Sequence, residues 1–149
     1  MRRPALVWGA LLLCWVGFVW GHSLVPGALS TGESDAVAEA LAALLPPLGD
    51  LDRDLLTLVI RKGAHLLEYA VLGVLLCGLL RSLGPRRRLP VAALVLLVPF
   101  VDEGIQLHVP GRSGQLSDVL VDLVGMAAGS AVLLALAFLR RSGRRASAP

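Results

Sequence analysis

Apolar residues in this chain come in long blocks, and polar residues collect between them. Residues 5–21 carry no charge, and Trp8 and Trp20 stand near the two ends, where aromatic rings favour the membrane–water boundary. Residues 61–81, 90–108 and 117–139 form three more blocks of spanning length. Between the first and second blocks, Val37, Leu41, Leu44 and Leu45 fall on one helical face, with Glu33, Asp35 and Glu39 ahead of them. That pattern predicts a short amphipathic helix on the membrane surface, ended by Pro46-Pro47 and Gly49. Asp50, Asp52 and Asp54 then make an acidic start for a helix running unbroken from about residue 52 to about 82. Pro99 interrupts the third block one turn before Asp102 and predicts a kink there. Ser117 is the expected N-cap of the fourth span. The expected fold is an all-α membrane protein: one domain over residues 1–149, a four-transmembrane-helix bundle with a short amphipathic helix in the first outer loop.

Composition agrees with this pattern. The mean hydropathy of +0.74 is too high for an ordinary soluble domain. The net charge is +3, but its distribution is more informative than its sum. All eleven acidic residues lie between Glu33 and Asp122, whereas the N-terminus, Arg81 to Arg88 and the tail after Leu139 are basic and free of acids. Basic segments beside apolar spans set topology, so they point away from nucleic-acid binding. They predict both termini on the cytoplasmic side of a multi-pass membrane protein. Arg2 and Arg3 before the first block also suit a signal peptide, but Ala28-Leu29-Ser30, which resembles a cleavage site, lies far beyond the apolar run. An uncleaved span is the preferred reading. Cys14 and Cys77 sit on different spans as small apolar residues, with no metal motif and no expected disulfide.

The candidate chemistry lies at the ends of the spans. An ionisable side chain at mid-bilayer costs roughly 2.5 to 3.5 kcal/mol even on the lenient insertion scales. Such groups must therefore be paired, hydrated or used. Arg61, His65, Glu68, Tyr69 and Leu72 share one helical face; Asp102 and Gln106 share another, with Glu103 beside them. Asp118, Asp122, Gly125 and Gly129 share a third. Gly125-x-x-x-Gly129 is a small-residue pattern that admits a close neighbour, either another helix of the bundle or a second copy of the chain. With these faces inward, a polar pocket opens at the outer side, holding Arg61, Lys62, His65, Glu68, Tyr69, Asp102, Glu103, Gln106, Arg112, Asp118 and Asp122. The alternative is an ion-paired lock in which Arg61, Lys62 and Arg112 neutralise the acids and fix helix register.

Residues 61–73, Arg-Lys-Gly-Ala-His-Leu-Leu-Glu-Tyr-Ala-Val-Leu-Gly, resemble the first motif of the VanZ-like family. Asp102-Glu103-x-x-Gln106, Val109-Pro110-Gly111-Arg112, Ser117-Asp118 and Gly125-x-x-x-Gly129 are similar to its second, and the resemblance covers about half the chain. It implies a small multi-span protein of bacterial membranes, from a family whose founding member is associated with low-level resistance to teicoplanin, a glycopeptide with a lipid tail. It implies no biochemical mechanism. Its polar signature carries over to Lys62, His65, Tyr69, Asp102, Glu103, Gln106, Arg112 and Asp118. Asp122 departs from it, since the resemblance implies Asn there.

Two functions follow as expectations. In the first, the outward pocket engages a membrane lipid headgroup, a cell-wall precursor or a lipid-tailed glycopeptide, with Arg61, Lys62 and Arg112 contacting phosphate or carboxylate. In the second, the protein is an intramembrane hydrolase or transferase acting on a lipid-linked envelope substrate. Catalytic candidates are then His65, Glu103, Asp102 and Asp118, with His65 or Glu103 as general base. In that version Asp102 and Asp118 would hold a divalent metal, and His65-x-x-Glu68 offers two more potential ligands on one face. No Gly-x-Ser-x-Gly, His-Glu-x-x-His or phosphate-loop motif is present, and no cofactor is expected.

Overall fold

A computed structural model describes residues 3–45, 47 and 51–146. Among them, six helices follow one another: α1 (Arg3–Ser23), α2 (Gly27–Leu44), α3 (Arg53–Ser82), α4 (Pro85–Val95), α5 (Val98–Gln106) and α6 (Leu116–Ala146). Met1, Arg2, Pro46, Gly49 and Asp50 lie outside the described residues. The expected ending of the amphipathic helix at Pro46 and Gly49, and the acidic start at Asp50, therefore lie outside the described residues.

Four stretches are long and apolar enough to cross a membrane: α1, α3, α4 with α5, and α6. At 1.5 Å per residue the 21 residues of α1 extend about 31 Å, which matches a hydrocarbon core of about 30 Å. Leu12, Val16, Val19 and Ser23 of α1 face inward, whereas Leu13 and Phe18 face out. Leu94, Val124 and Phe138 are likewise exposed, and in a bilayer these side chains meet acyl chains rather than water.

The bundle is built around α3, which packs against α6, α1, α2 and α4. Asp52 caps it by accepting the Leu55 amide at 3.0 Å. It ends at Ser82, because Leu83 and Gly84 turn extended before Pro85, and Pro85 is well placed to open α4. The long helix expected between about 52 and 82 is therefore present. The interruption expected at Pro99 is present too, and falls just before it. Pro99 has no N–H for the Val95 carbonyl, and the Leu97 amide bonds Leu94 three residues back at 3.2 Å, which separates α4 from α5.

Helices α3 and α6 touch backbone to backbone. A methyl group built on Gly129 would stand 1.8 Å from the Ala70 carbonyl oxygen, and one on Gly125 2.4 Å from that of Leu66. Gly73 of α3 faces Met126 in the same way, and Ser130 Oγ donates to the Gly73 carbonyl at 3.0 Å. This corrects one expectation: Gly125 and Gly129 are occupied by the chain's own α3 and are not free to receive a second copy. Tyr69, Leu72, Val19, Leu76, Val98 and Met126 fill the core between α1, α3, α5 and α6.

Helix α2 is longer than its leucine stripe suggests. It starts at Gly27, directly after Pro26, and buries Gly27, Ser30 and Ala38, leaving Val37, Leu44 and Leu45 exposed. It lies on α3 and is tied to it by Arg53 to Glu39 at 2.6 Å and Thr57 to Asp35 at 2.8 Å. Ser117 is inside the first turn of α6 rather than capping it, and α6 continues past Leu139, so its arginines extend the helix instead of ending it. Of the two free cysteines, Cys77 is buried and Cys14 faces outward.

The two ends of the bundle differ in charge. Ala5 of α1 meets the arginine turn 81–88, and Trp8 and Gly78 meet the C-terminal part of α6. The start of α1, the α3–α4 turn and the end of α6 thus share one basic end. The opposite end carries α2, the loop between α5 and α6, and the acids.

Candidate functional site

The loop after α5 closes the acidic end. Gly111 has a φ of +73°, a left-handed conformation that favours glycine. Its carbonyl abuts Gly27, where an added Cβ would stand 1.9 Å away, and the Gly27 amide donates to the Pro110 carbonyl at 3.0 Å. This contact seats the start of α2 on the loop and aims Arg112 inward. Arg112 Nε donates to the Val25 carbonyl at 2.9 Å and Nη2 to that of His22 at 3.1 Å. Burial, opposed by Asp102 and assisted by Arg61, pulls the Arg112 guanidinium below its ordinary range, and it remains cationic at neutral pH.

Beneath this lid lies a buried acidic centre. On α5, Asp102 is fully buried and Glu103 nearly so; on α6, Asp122 is fully buried; on α3, His65 is buried beside them. Ser23 Oγ donates to Asp102 Oδ1 at 2.6 Å, and Gln106 Nε2 donates to Asp102 Oδ2 at 3.3 Å. Glu103 Oε2 accepts the Gln115 amide at 2.6 Å, which ties α5 to the start of α6. His65 Nδ1 and Asp122 Oδ1 are 3.2 Å apart. A carboxylate oxygen accepts, so Nδ1 donates this bond and Nε2 is left for another partner. The Tyr69 hydroxyl, Glu103 Oε1 and Asp122 Oδ2 are buried without a hydrogen-bond partner among the described residues.

One ion pair and a histidine bridge flank the centre. Lys62 binds Asp118 at its edge. His22 Nδ1 stands 3.0 Å from Glu68 and His22 Nε2 stands 3.7 Å from Glu33, joining α1, α3 and α2. Trp15 Nε1 donates to the Glu68 backbone carbonyl at 2.9 Å. Arg61 lines the space under α2 and makes no side-chain hydrogen bond or ion pair with the described residues.

All the residues expected at the site therefore occupy one end of the bundle. His65, Tyr69, Asp102, Glu103, Gln106, Asp118 and Asp122 are buried there, and Arg61, Lys62, Glu68 and Arg112 surround them half-buried. Three details differ from expectation. The ion-paired lock is incomplete, because among the described residues Lys62 alone of its three cations pairs with an acid, while Arg112 spends two donors on carbonyls. Asp118 is bound by Lys62 and stands outside the group of donor atoms around Asp102. Glu68 does not act with His65, because His22 engages it. The groups placed to hold a metal are instead His65, Asp102, Glu103 and Asp122, each offering a donor atom within 4.8 Å of the others. The sequence reading missed Ser23, His22, Trp15 and Gln115. Ending the first span at Gly21 put His22 and Ser23 in a loop; their place at the acidic end was the one available signal.

A cavity of about 140 Å3 runs under α2, lined by His22, Ser30, Glu33, Arg61, His65 and Glu68 among others. A larger hollow of about 740 Å3 lies at the opposite, basic end between Ala5 and the 81–88 turn, away from every buried acid.

Four spanning helices around a buried cluster of carboxylates and histidine define a multi-pass membrane protein with a polar interior at one end. A family model described as VanZ/LLP1 matches residues 8–139, and the chain belongs to that family. No match was found among curated proteins or among solved structures.

Proposed function

We propose that the protein works in the bacterial cell envelope, in the cytoplasmic membrane, with the basic end cytoplasmic and the acidic end outside. The distribution of charge supports this orientation: the acid-free arginine segments share one end, as cytoplasmic flanks do. On this reading the space under α2 opens outward and receives an anionic group carried by a lipid: a lipid headgroup, a lipid-linked cell-wall precursor or a lipid-tailed glycopeptide. Occupation by the last, or protection of its target, lowers susceptibility to teicoplanin.

The observation that carries the proposal is Arg61. It is a half-buried guanidinium at the cavity wall with no acid of the described residues bound to it. A guanidinium so placed suits a phosphate or carboxylate, which it grips with two parallel hydrogen bonds. A cavity of about 140 Å3 accommodates such a group but not a whole glycopeptide, so the lipid tail would run along the exposed apolar faces of the helices.

The test is drug susceptibility of a sensitive Gram-positive host expressing wild type or Arg61→Glu at matched membrane levels. Wild type is expected to protect against teicoplanin more than against a tail-less glycopeptide, and Arg61→Glu to lose that protection. Equal protection by both proteins would remove Arg61 from the account.

A second reading is favoured by one observation, the buried His65–Asp122 pair beside Glu103 with its free oxygen. That arrangement suits general acid–base chemistry on a lipid-linked substrate, by an intramembrane hydrolase or transferase. Turnover of polyprenyl phosphates or phospholipids by the purified protein is its test; no turnover of either argues against it.

A further inference from the structure

We propose that His65, Asp102, Glu103 and Asp122 form a binding site for one first-row divalent cation. Each residue presents a donor atom, and the four atoms all lie within 4.8 Å of one another. A first-row divalent ion bonds nitrogen and oxygen donors at about 2.0–2.2 Å, so donors on opposite sides of it stand about 4.0–4.4 Å apart. Closing the set onto an ion therefore takes side-chain adjustments that draw the four donors together. The donors come from three helices, α3, α5 and α6, so the site is a property of the packed bundle and not of one helix face.

The second observation is that this cluster is unsatisfied. Glu103 is 6% exposed and Asp122 0%, yet Glu103 Oε1 and Asp122 Oδ2 have no hydrogen-bond partner among the described residues. A buried carboxylate oxygen without a donor is costly unless a cation faces it.

Charge balance points the same way. Three carboxylates meet here, and His65 is the one basic side chain of the described residues bonded to any of them. Lys62 is bound to Asp118, the bonded donors of Arg112 reach backbone carbonyls, and His22 faces Glu68 and Glu33. A divalent ion with three carboxylates and a neutral imidazole leaves a residual charge of −1 in place of −3. The donors also select the ion. Calcium and magnesium favour oxygen alone, whereas one imidazole with carboxylates suits manganese, ferrous iron or zinc. Ser23 and Gln106, which hold the Asp102 oxygens, and Gln115, which holds Glu103 Oε2, act as the supporting shell that orients the ligands.

The site stands independently of any drug or lipid ligand, and so does its test. Full-length protein in phosphatidylcholine nanodiscs is stripped with chelator and titrated with Mn2+, free ion being read by its electron paramagnetic resonance signal. Zn2+ is then added as competitor. One Mn2+ per chain, displaced by Zn2+, is expected. Glu103→Gln and Asp122→Asn should each weaken binding at least tenfold while keeping a monodisperse, helical protein, and Glu39→Gln, on the exposed face of α2 and away from the cluster, should bind as wild type does. Wild-type protein that takes up neither ion overturns the proposal. So do well-folded Glu103→Gln and Asp122→Asn proteins that bind as tightly as wild type.

Discussion

His65 Nδ1 lies 3.2 Å from Asp122 Oδ1, joining α3 to α6 in the interior of the acidic end. Asp122 is fully buried, and this is its one side-chain hydrogen bond among the described residues. An asparagine at 122 keeps an acceptor for the imidazole and removes a buried charge. Asp122→Asn is therefore expected to unfold at or slightly above the wild-type temperature in chelator-treated samples. His65→Leu strips Asp122 of its donor and should cost about 1–3 kcal/mol. Thermal unfolding in detergent, followed by circular dichroism, measures both. A His65→Leu protein as stable as wild type would show that the pair does not hold the helices together.

Much of this arrangement was legible in the sequence, and the reason is periodicity. His65, Tyr69 and Leu72 repeat at helical spacing, as do Asp118, Asp122, Gly125 and Gly129, and in an apolar span a polar stripe must turn inward. The inward faces were therefore predictable, and so were the four spans. Partners were not. Whether Asp118 meets Asp102 or Lys62 depends on rotations of whole helices, which spacing within one helix does not encode. Arg112 was expected to contact phosphate or carboxylate; its two bonds to the α1–α2 turn came only with the fold. Ser23 carries no signal of its own; it matters because the end of α1 lies against α5. The small-residue face of α6 was read correctly as a place of close approach, but its partner, α3, came only with the fold.

The close contact of α3 and α6 has its own consequence. Gly129→Leu and Gly125→Leu drive a side chain into the Ala70 and Leu66 carbonyls, so both variants should lose the folded, monodisperse protein on size-exclusion chromatography. Gly63 is the control, because nothing lies within 4 Å of a Cβ built there. Gly63→Ala is expected to stabilise by about 0.5–1 kcal/mol through helix propensity alone. A Gly129→Leu protein as stable as wild type would mean that the two helices are not packed as described.

Lys62 and Asp118 form the partly buried pair at the edge of the centre, with side-chain exposures of 33% and 10%. Lys62→Met leaves the carboxylate without its cation and should destabilise by about 1–3 kcal/mol, less than a fully buried pair because water reaches the lysine. Asp118→Asn should cost less, since the exposed ammonium can turn to solvent. Thermal midpoints of the two single variants and the double variant separate these contributions. Additive effects would show that the pair carries no coupling.

On the proposed reading the space under α2 opens to the outside and receives the ligand. A cysteine at Ser34, which lines the cavity under α2 together with Arg61, tests this most directly in a chain whose Cys14 and Cys77 are replaced by alanine. Intact cells are treated with a membrane-impermeant maleimide, with and without teicoplanin. The predicted result is labelling from outside that teicoplanin slows and a tail-less glycopeptide does not. No labelling in intact cells, with labelling restored on lysis, would contradict the orientation; labelling that no glycopeptide slows would contradict the pocket's part in glycopeptide susceptibility.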